Sequence, residues 1–240
     1  MKKLRLGEFE RNSLVVFAIT MIANVLSYLY QIVMGNVLTP ADYGTVNTLL
    51  SLSVVVGVPS GIISALTATY TAKYHAHGET FAIAAFMHGM LRVAAVLAAI
   101  VFVVGALLSR PIAHVLQIDD PHYVTVVMVL VASNCLGPVF SSTLQGVKRF
   151  IPYSMNSVLS FAFRLLLGVI FVWLGWGIPG ALAALILAAC LTMLYCLFKS
   201  RDLFFAPVKE NLALDRTEIR RYFVSTFWFQ MFLLLMANGD

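Results

Sequence analysis

Charge is scarce in this sequence. Lysine and arginine supply 16 of 240 residues and aspartate and glutamate 11, so 11% of the chain is charged and 60% is hydrophobic. A soluble domain carries about 25% charged residues, and this composition instead fits a polytopic membrane protein. Cysteine is sparse as well. Cys135, Cys190 and Cys196 stand singly in apolar segments, with no CxxC pair and no Cys/His set at metal spacing. Each reads as a small core residue, and no redox compartment follows from them. The chain has no P-loop, no G-x-S-x-G and no H-E-x-x-H, and no paired carboxylate stands at a membrane face. No enzyme, cofactor or metal site is therefore expected. Asp119 and Asp120 are adjacent in a loop and His75 and His77 are one residue apart. On a helix that histidine spacing puts the rings on different faces, so both pairs read as solvated loop residues.

What is present is a succession of long apolar runs. They predict an all-α polytopic transmembrane bundle of six spans plus the start of a seventh. Span one covers about Ser13–Met34 and span two about Thr45–Tyr70, with a turn between them over Gly35–Gly44. Span three follows at about Ala84–Ser109, span four at Val124–Gln145, span five at Tyr153–Trp176 and span six at Ala181–Phe198. A basic N-terminal segment (1–12) precedes this lobe (13–198). A polar, amphipathic loop (199–222) and a seventh run (223–240) follow it. The first span lacks a cleavage-like site near Met34 and reads as an uncleaved signal anchor. Gly57 and Pro59 break span two, and Gly137 and Pro138 break span four. Each break is either a static kink or a hinge. In span six, Gly180, Ala184 and Ala188 recur every fourth residue and offer a smooth face for close packing.

The net charge of +5 is not a nucleic-acid signature, because the basic residues cluster in alternate loops. Lys2, Lys3, Arg5 and Arg11 begin the chain. Lys73 lies in loop two, Lys148 and Arg149 in loop four, and Lys199, Arg201, Lys209, Arg216, Arg220 and Arg221 in loop six. Loops one and five have no Lys or Arg, and loop three has only Arg110. The alternation places the N-terminus in the cytoplasm and the protein in the inner membrane.

Arg164 breaks the pattern. It sits in the middle of span five, roughly 17 Å from either end at 1.5 Å per residue, beyond what snorkelling spans. A charge at that depth costs on the order of 3 kcal/mol or more without a partner or a wet cavity. It marks either a functional site or a buried structural ion pair. Arg92, by contrast, lies near the cytoplasmic end of span three and reads as a snorkelling residue or one at a cavity mouth.

NVLSYLYQIVMGNVLTPADYGTVNTLLS resembles the first hairpin of polysaccharide-export flippases of the multidrug/oligosaccharidyl-lipid/polysaccharide (MOP) superfamily. Gly35, Leu38, Pro40, Tyr43 and Gly44 match its G-x-x-L-x-P-x-x-[FY]-G turn. LQGVKRF (Leu144–Phe150) is similar to its Q-G-x-x-R-F stretch, and Leu174–Ala181 to its L-G-x-G-x-x-G-A turn. The likeness covers nearly the whole chain, but such proteins have two pseudo-symmetric lobes. This chain holds the N-terminal one and the first helix of the next, so a second lobe or a homodimer is expected if the chain is complete.

The resemblance implies alternating-access flipping of a polyprenyl-pyrophosphate-linked oligosaccharide, a polysaccharide repeat unit. Arg164 would bind the anionic headgroup or acidic sugars, with Arg92 as a weaker second at the mouth. Asn24, Gln31, Gln145 and Asn156 are candidates to hydrogen-bond sugar hydroxyls or to glue helices. Asp240, in a stretch similar to the family's seventh span, is the ion-coupling candidate. Expected partners are the lipid-linked substrate, membrane lipids and glycan polymerase or assembly proteins. Two other readings stay open: a drug/cation antiporter of the same superfamily, and a non-transporting scaffold for glycan assembly.

Overall fold

A computed structural model describes residues 2–118 and 120–206, with side chains placed from residue 13 onward. Among the described residues there are eight helices and no strand. They are α1 (Lys2–Val37), α2 (Pro40–Val56), α3 (Val58–Ala76), α4 (Thr80–Leu107), α5 (Ser109–Val115), α6 (Pro121–Gly146), α7 (Phe150–Trp173) and α8 (Gly177–Phe204). Five stretches are long and apolar enough to span a membrane: Ser13–Val37, α4, α6, α7 and α8. Helices α2 and α3, bent by 49° at Gly57, together make a broken sixth. The seventh run and Asp240 lie outside the described residues.

Several boundaries differ from the sequence expectation for identifiable reasons. The turn expected over Gly35–Gly44 shrinks to Leu38 and Thr39. Thr39 caps α2: its Oγ1 accepts the Asp42 amide at 3.2 Å and donates to the Asp42 carboxylate at 2.8 Å, with Pro40 in the first turn. Gly35 and Gly44 are therefore helical. Loop three is not simply a solvated loop, since Ser109–Val115 forms α5 with Ser109 and Ala113 buried. Span five runs Phe150–Trp173, three residues earlier at each end. Arg164 then lies about 21 Å from the helix start and about 14 Å from its end at 1.5 Å per residue, so it is off-centre.

Helix α6 is the hub, packed against α3, α4 and α8, while α7 joins α1 to α8. Lipid tails are as apolar as these side chains, so close approach rather than water exclusion holds the helices together. Gly146 shows how close: a Cβ there would stand 2.7 Å from Thr71 Cβ and 2.9 Å from the Ala68 carbonyl. Gly180, Ala184 and Ala188 are all buried, as a smooth packing face requires. Ser64 and Ser142 hydroxyls, 2.7 Å apart, add a link between α3 and α6.

The same packing gathers the basic segments at one end. Gly146 meets Thr71 and Ala68 near the Lys73 end of α3. Lys148, in the left-handed region at φ 62°, turns the chain from α6 into α7. Arg149 then donates to the Lys199 carbonyl at 2.9 Å and forms a two-pronged pair with Asp202. That hydrogen bond, with the carboxylate's charge, holds the exposed Arg149 guanidinium above its ordinary pKa. His88 stacks on Phe204 with ring centres 4.4 Å apart, so α4 begins beyond the level where α8 ends. The bundle therefore has a basic end and an opposite end, where the exposed Trp173 and Trp176 flank a turn with Gly175 at φ 85° and Gly177 at φ 51°.

Candidate functional site

A cavity of about 550 Å³ opens between α2, α6, α7 and α8, with its lining continuing to Ser60 at the head of α3. Helix α7 gives it Asn156, Ser160 and Arg164. Residues four apart lie one above another on a helix, so these three form a ladder about 12 Å long at 1.5 Å per residue. Helix α6 adds Ser133, Asn134, Gly137, Pro138 and Ser141, and α8 adds Thr192 and Cys196. Ser53, Gly57 and Ser60 come from either side of the α2–α3 bend.

Two backbone breaks therefore border one cavity. Pro138 has no N–H, so the Asn134 carbonyl loses its helical partner where Asn134 lines the space. Gly57 sits at the 49° bend, and Ser53 and Ser60 hydroxyls donate to the Leu50 and Gly57 carbonyls at 2.6 Å. Ser133 and Thr192 likewise donate to carbonyls of their own helices at 2.9 and 2.8 Å. A hydroxyl bonded in this way keeps lone pairs to accept from a ligand. Asn156 accepts from the Cys196 thiol at 3.2 Å, which leaves its amide N–H₂ as a donor.

Arg164 is half-buried, and its guanidinium lies 5.5 Å from the centre of the Phe161 ring. Its Nε is buried and has no hydrogen-bond partner, and the buried Tyr30 hydroxyl is likewise unpaired. Tyr30 packs 3.5 Å from the position a Cβ on Gly168 would take, one turn beyond Arg164. No aspartate or glutamate among the described residues lines the cavity, and no group of metal-ligating side chains forms there. Arg164 thus has no carboxylate partner among the described residues, and the buried ion pair left open by the sequence is absent from them.

The structure brings together only part of the expected set. Arg164, Asn156, Gly57, Gly137 and Pro138 share the cavity, while Pro59 sits in the first turn of α3 outside it. Asn24 and Gln31 lie on the exposed face of α1, and Gln145 is half-buried away from the cavity. Arg92 is exposed and does not line it either. It stands about 6 Å, one helical turn, deeper into the bundle than the His88–Phe204 stack at the basic end. Sequence reasoning missed Asn134, Ser53, Ser60, Ser133, Ser141, Ser160 and Thr192. The signal was present in part: Asn156–Ser160–Arg164 and Asn134–Pro138–Ser141 repeat at helical spacing.

A sequence model of the family described as "Polysaccharide biosynthesis protein" matches residues 9–237. The chain belongs to that family. Solved structures give the fold. A MOP superfamily transporter from Pyrococcus furiosus, described by the reverse polarity of its binding pocket, is 16% identical and superposes with a TM-score of 0.69. That match covers 92% of this chain and 52% of the other. The Vibrio cholerae MATE transporter VcmN in its bent form is 16% identical with a TM-score of 0.72, over 95% and 56% of the two chains. A multidrug resistance MATE transporter in an outward-facing conformation is 17% identical with a TM-score of 0.67, over 92% and 52%. A search of curated proteins finds no match. This polysaccharide biosynthesis family member thus has the all-helical, multi-pass fold of MOP superfamily transporters, and it spans about half the length of the structures it matches.

Proposed function

We propose that the chain forms one lobe of a transporter that flips a polyprenyl-pyrophosphate-linked oligosaccharide across the cytoplasmic membrane, with its N-terminus in the cytoplasm. The observation that carries this reading is the cavity: hydroxyls and amides around one guanidinium, with no carboxylate among the described residues. Hydroxyl and amide groups exchange hydrogen bonds with sugar, and a planar guanidinium pairs with pyrophosphate or uronate oxygens. The unpaired Arg164 Nε is a donor already stripped of water, so an incoming anion gives it the partner it lacks. The Gly57 and Pro138 breaks lie where rocking of one lobe against a second would bend the walls.

Cationic drugs favour carboxylates, which weighs against a drug/cation antiporter of the same superfamily, since among the described residues no carboxylate lines the cavity. The Pyrococcus furiosus transporter, with its reverse pocket polarity, is a precedent for this fold carrying a pocket of other character.

The test uses cells lacking the protein, complemented by the parent, by Arg164→Leu or by Arg164→Lys at matched expression. Lipid-linked saccharide stranded on the cytoplasmic leaflet with Arg164→Leu, and partly relieved with Arg164→Lys, supports the proposal. Normal export with Arg164→Leu refutes it.

A further inference from the structure

A second hollow lies on the other side of the α7–α8 seam. Its volume is about 870 Å³, and its walls are Met155, Leu159 and Phe163 of α7 against Leu191, Leu194 and Phe198 of α8. These α7 residues each precede a member of the Asn156–Ser160–Arg164 ladder, so a polar wall and an apolar wall run side by side on one helix. Leu191, Leu194 and Phe198 are exposed, as lipid-facing side chains in a spanning helix are.

The charges sit at one end of this groove. Arg201 lines it, with its guanidinium 4.6 Å from the centre of the Phe198 ring. Lys199 stands 6.0 Å over the ring of Tyr195, another wall residue. The nearby Asp202 is occupied by Arg149, so neither cation has a carboxylate partner among the described residues. The groove also has a length. From Leu191 to Phe205 along α8 is about 21 Å at 1.5 Å per residue, close to the depth of one leaflet, about 15 Å of hydrocarbon plus its headgroup layer.

We infer that this groove holds an anionic phospholipid of the basic-end leaflet, with one acyl chain along Leu159 and Leu194 and the phosphate on Arg201 and Lys199. An apolar trough one leaflet deep, with two cations at its interfacial end that have no carboxylate partner among the described residues, matches a lipid with a negative head. A zwitterionic lipid would fill the trough equally well but would gain less from the cations. The site is separate from the Arg164 cavity and does not depend on what that cavity carries.

The experiment reconstitutes the full chain in phosphatidylcholine vesicles containing trace spin-labelled phosphatidylglycerol or spin-labelled phosphatidylcholine, and reads the immobilised fraction of each label. The parent is expected to prefer phosphatidylglycerol. The preference should fall about fivefold with Arg201→Gln, fall further when Lys199→Gln is added, and survive Arg201→Lys, since a basic residue at an anionic surface contributes on the order of a fivefold preference. Leu194→Trp, which fills the groove and keeps both charges, should release both labels. No phosphatidylglycerol preference in the parent, or a preference untouched by the double charge substitution, overturns the headgroup assignment. Unchanged immobilisation with Leu194→Trp overturns the groove.

Discussion

Replacing Arg164 with leucine separates two accounts of why a guanidinium stands in span five. If it is a binding group, its removal deletes a half-buried cation whose Nε has no hydrogen-bond partner, and the protein should be as stable as the parent or more so. The half-buried position and the partnerless Nε are the basis for that sign. Anion binding should weaken at the same time. One hydrogen bond to a charged group contributes about 1.5–3 kcal/mol, which at 1.4 kcal/mol per tenfold is a loss of roughly 10- to 140-fold in affinity. The assay pairs a thermal unfolding scan of the purified protein with titration of a soluble pyrophosphate-linked sugar. Arg164→Lys should retain part of the affinity, because lysine keeps the charge and loses the planar fork. A sharply lowered unfolding temperature with unchanged affinity would show that Arg164 is structural and not a binding group.

Other substitutions probe the frame around the cavity. Gly146→Ala should destabilise by about 1–3 kcal/mol, as overpacking does, because its Cβ would press on the Ala68 carbonyl. Gly137→Ala, with open space around it, should be neutral or stabilising by up to about 1 kcal/mol, and unfolding scans compare the two. Pro138→Ala returns an N–H to the Asn134 carbonyl, so it should raise the unfolding temperature. It should also slow transport if the break is a hinge, and an unchanged transport rate would make it a static kink. Arg149→Ala should cost about 1 kcal/mol for an exposed pair, with a fray between α7 and α8 read by hydrogen exchange near Lys199. Arg149→Lys should restore little of that loss, since the paired contact with Asp202 needs the fork.

Hydrophobic runs, breakers and the spacing of lysine and arginine made most of the bundle legible in the sequence. Spans, the Gly57 break and the gathering of Lys73, Arg149 and Lys199 at one end all follow from those signals. The ends of elements were less legible. The Thr39–Asp42 cap extends order through a stretch rich in glycine and proline, and α5 hides in a segment too short for a periodic signal. For the site, a lone charge in an apolar run was readable because its cost is large. Asn156 and Arg164 do line the cavity, but Ser160 between them was passed over, because serine is cheap to place in a helix and draws no attention by itself. Asn24 and Gln31 show the converse. Both are polar residues in a span, yet no residue of α1 lines the cavity; where α1 sits is set by its packing against α7, and local sequence does not contain that.

On the proposed function, the Arg164 cavity carries an anionic lipid-linked sugar from one leaflet to the other. The most direct measurement is the sidedness of lipid-linked oligosaccharide in cells lacking this protein, read with a glycan-cleaving probe that cannot cross the membrane. Accumulation on the cytoplasmic leaflet is expected, cleared by the parent and not by Arg164→Leu. Sidedness unchanged by the deletion, or cleared equally by both, would contradict it.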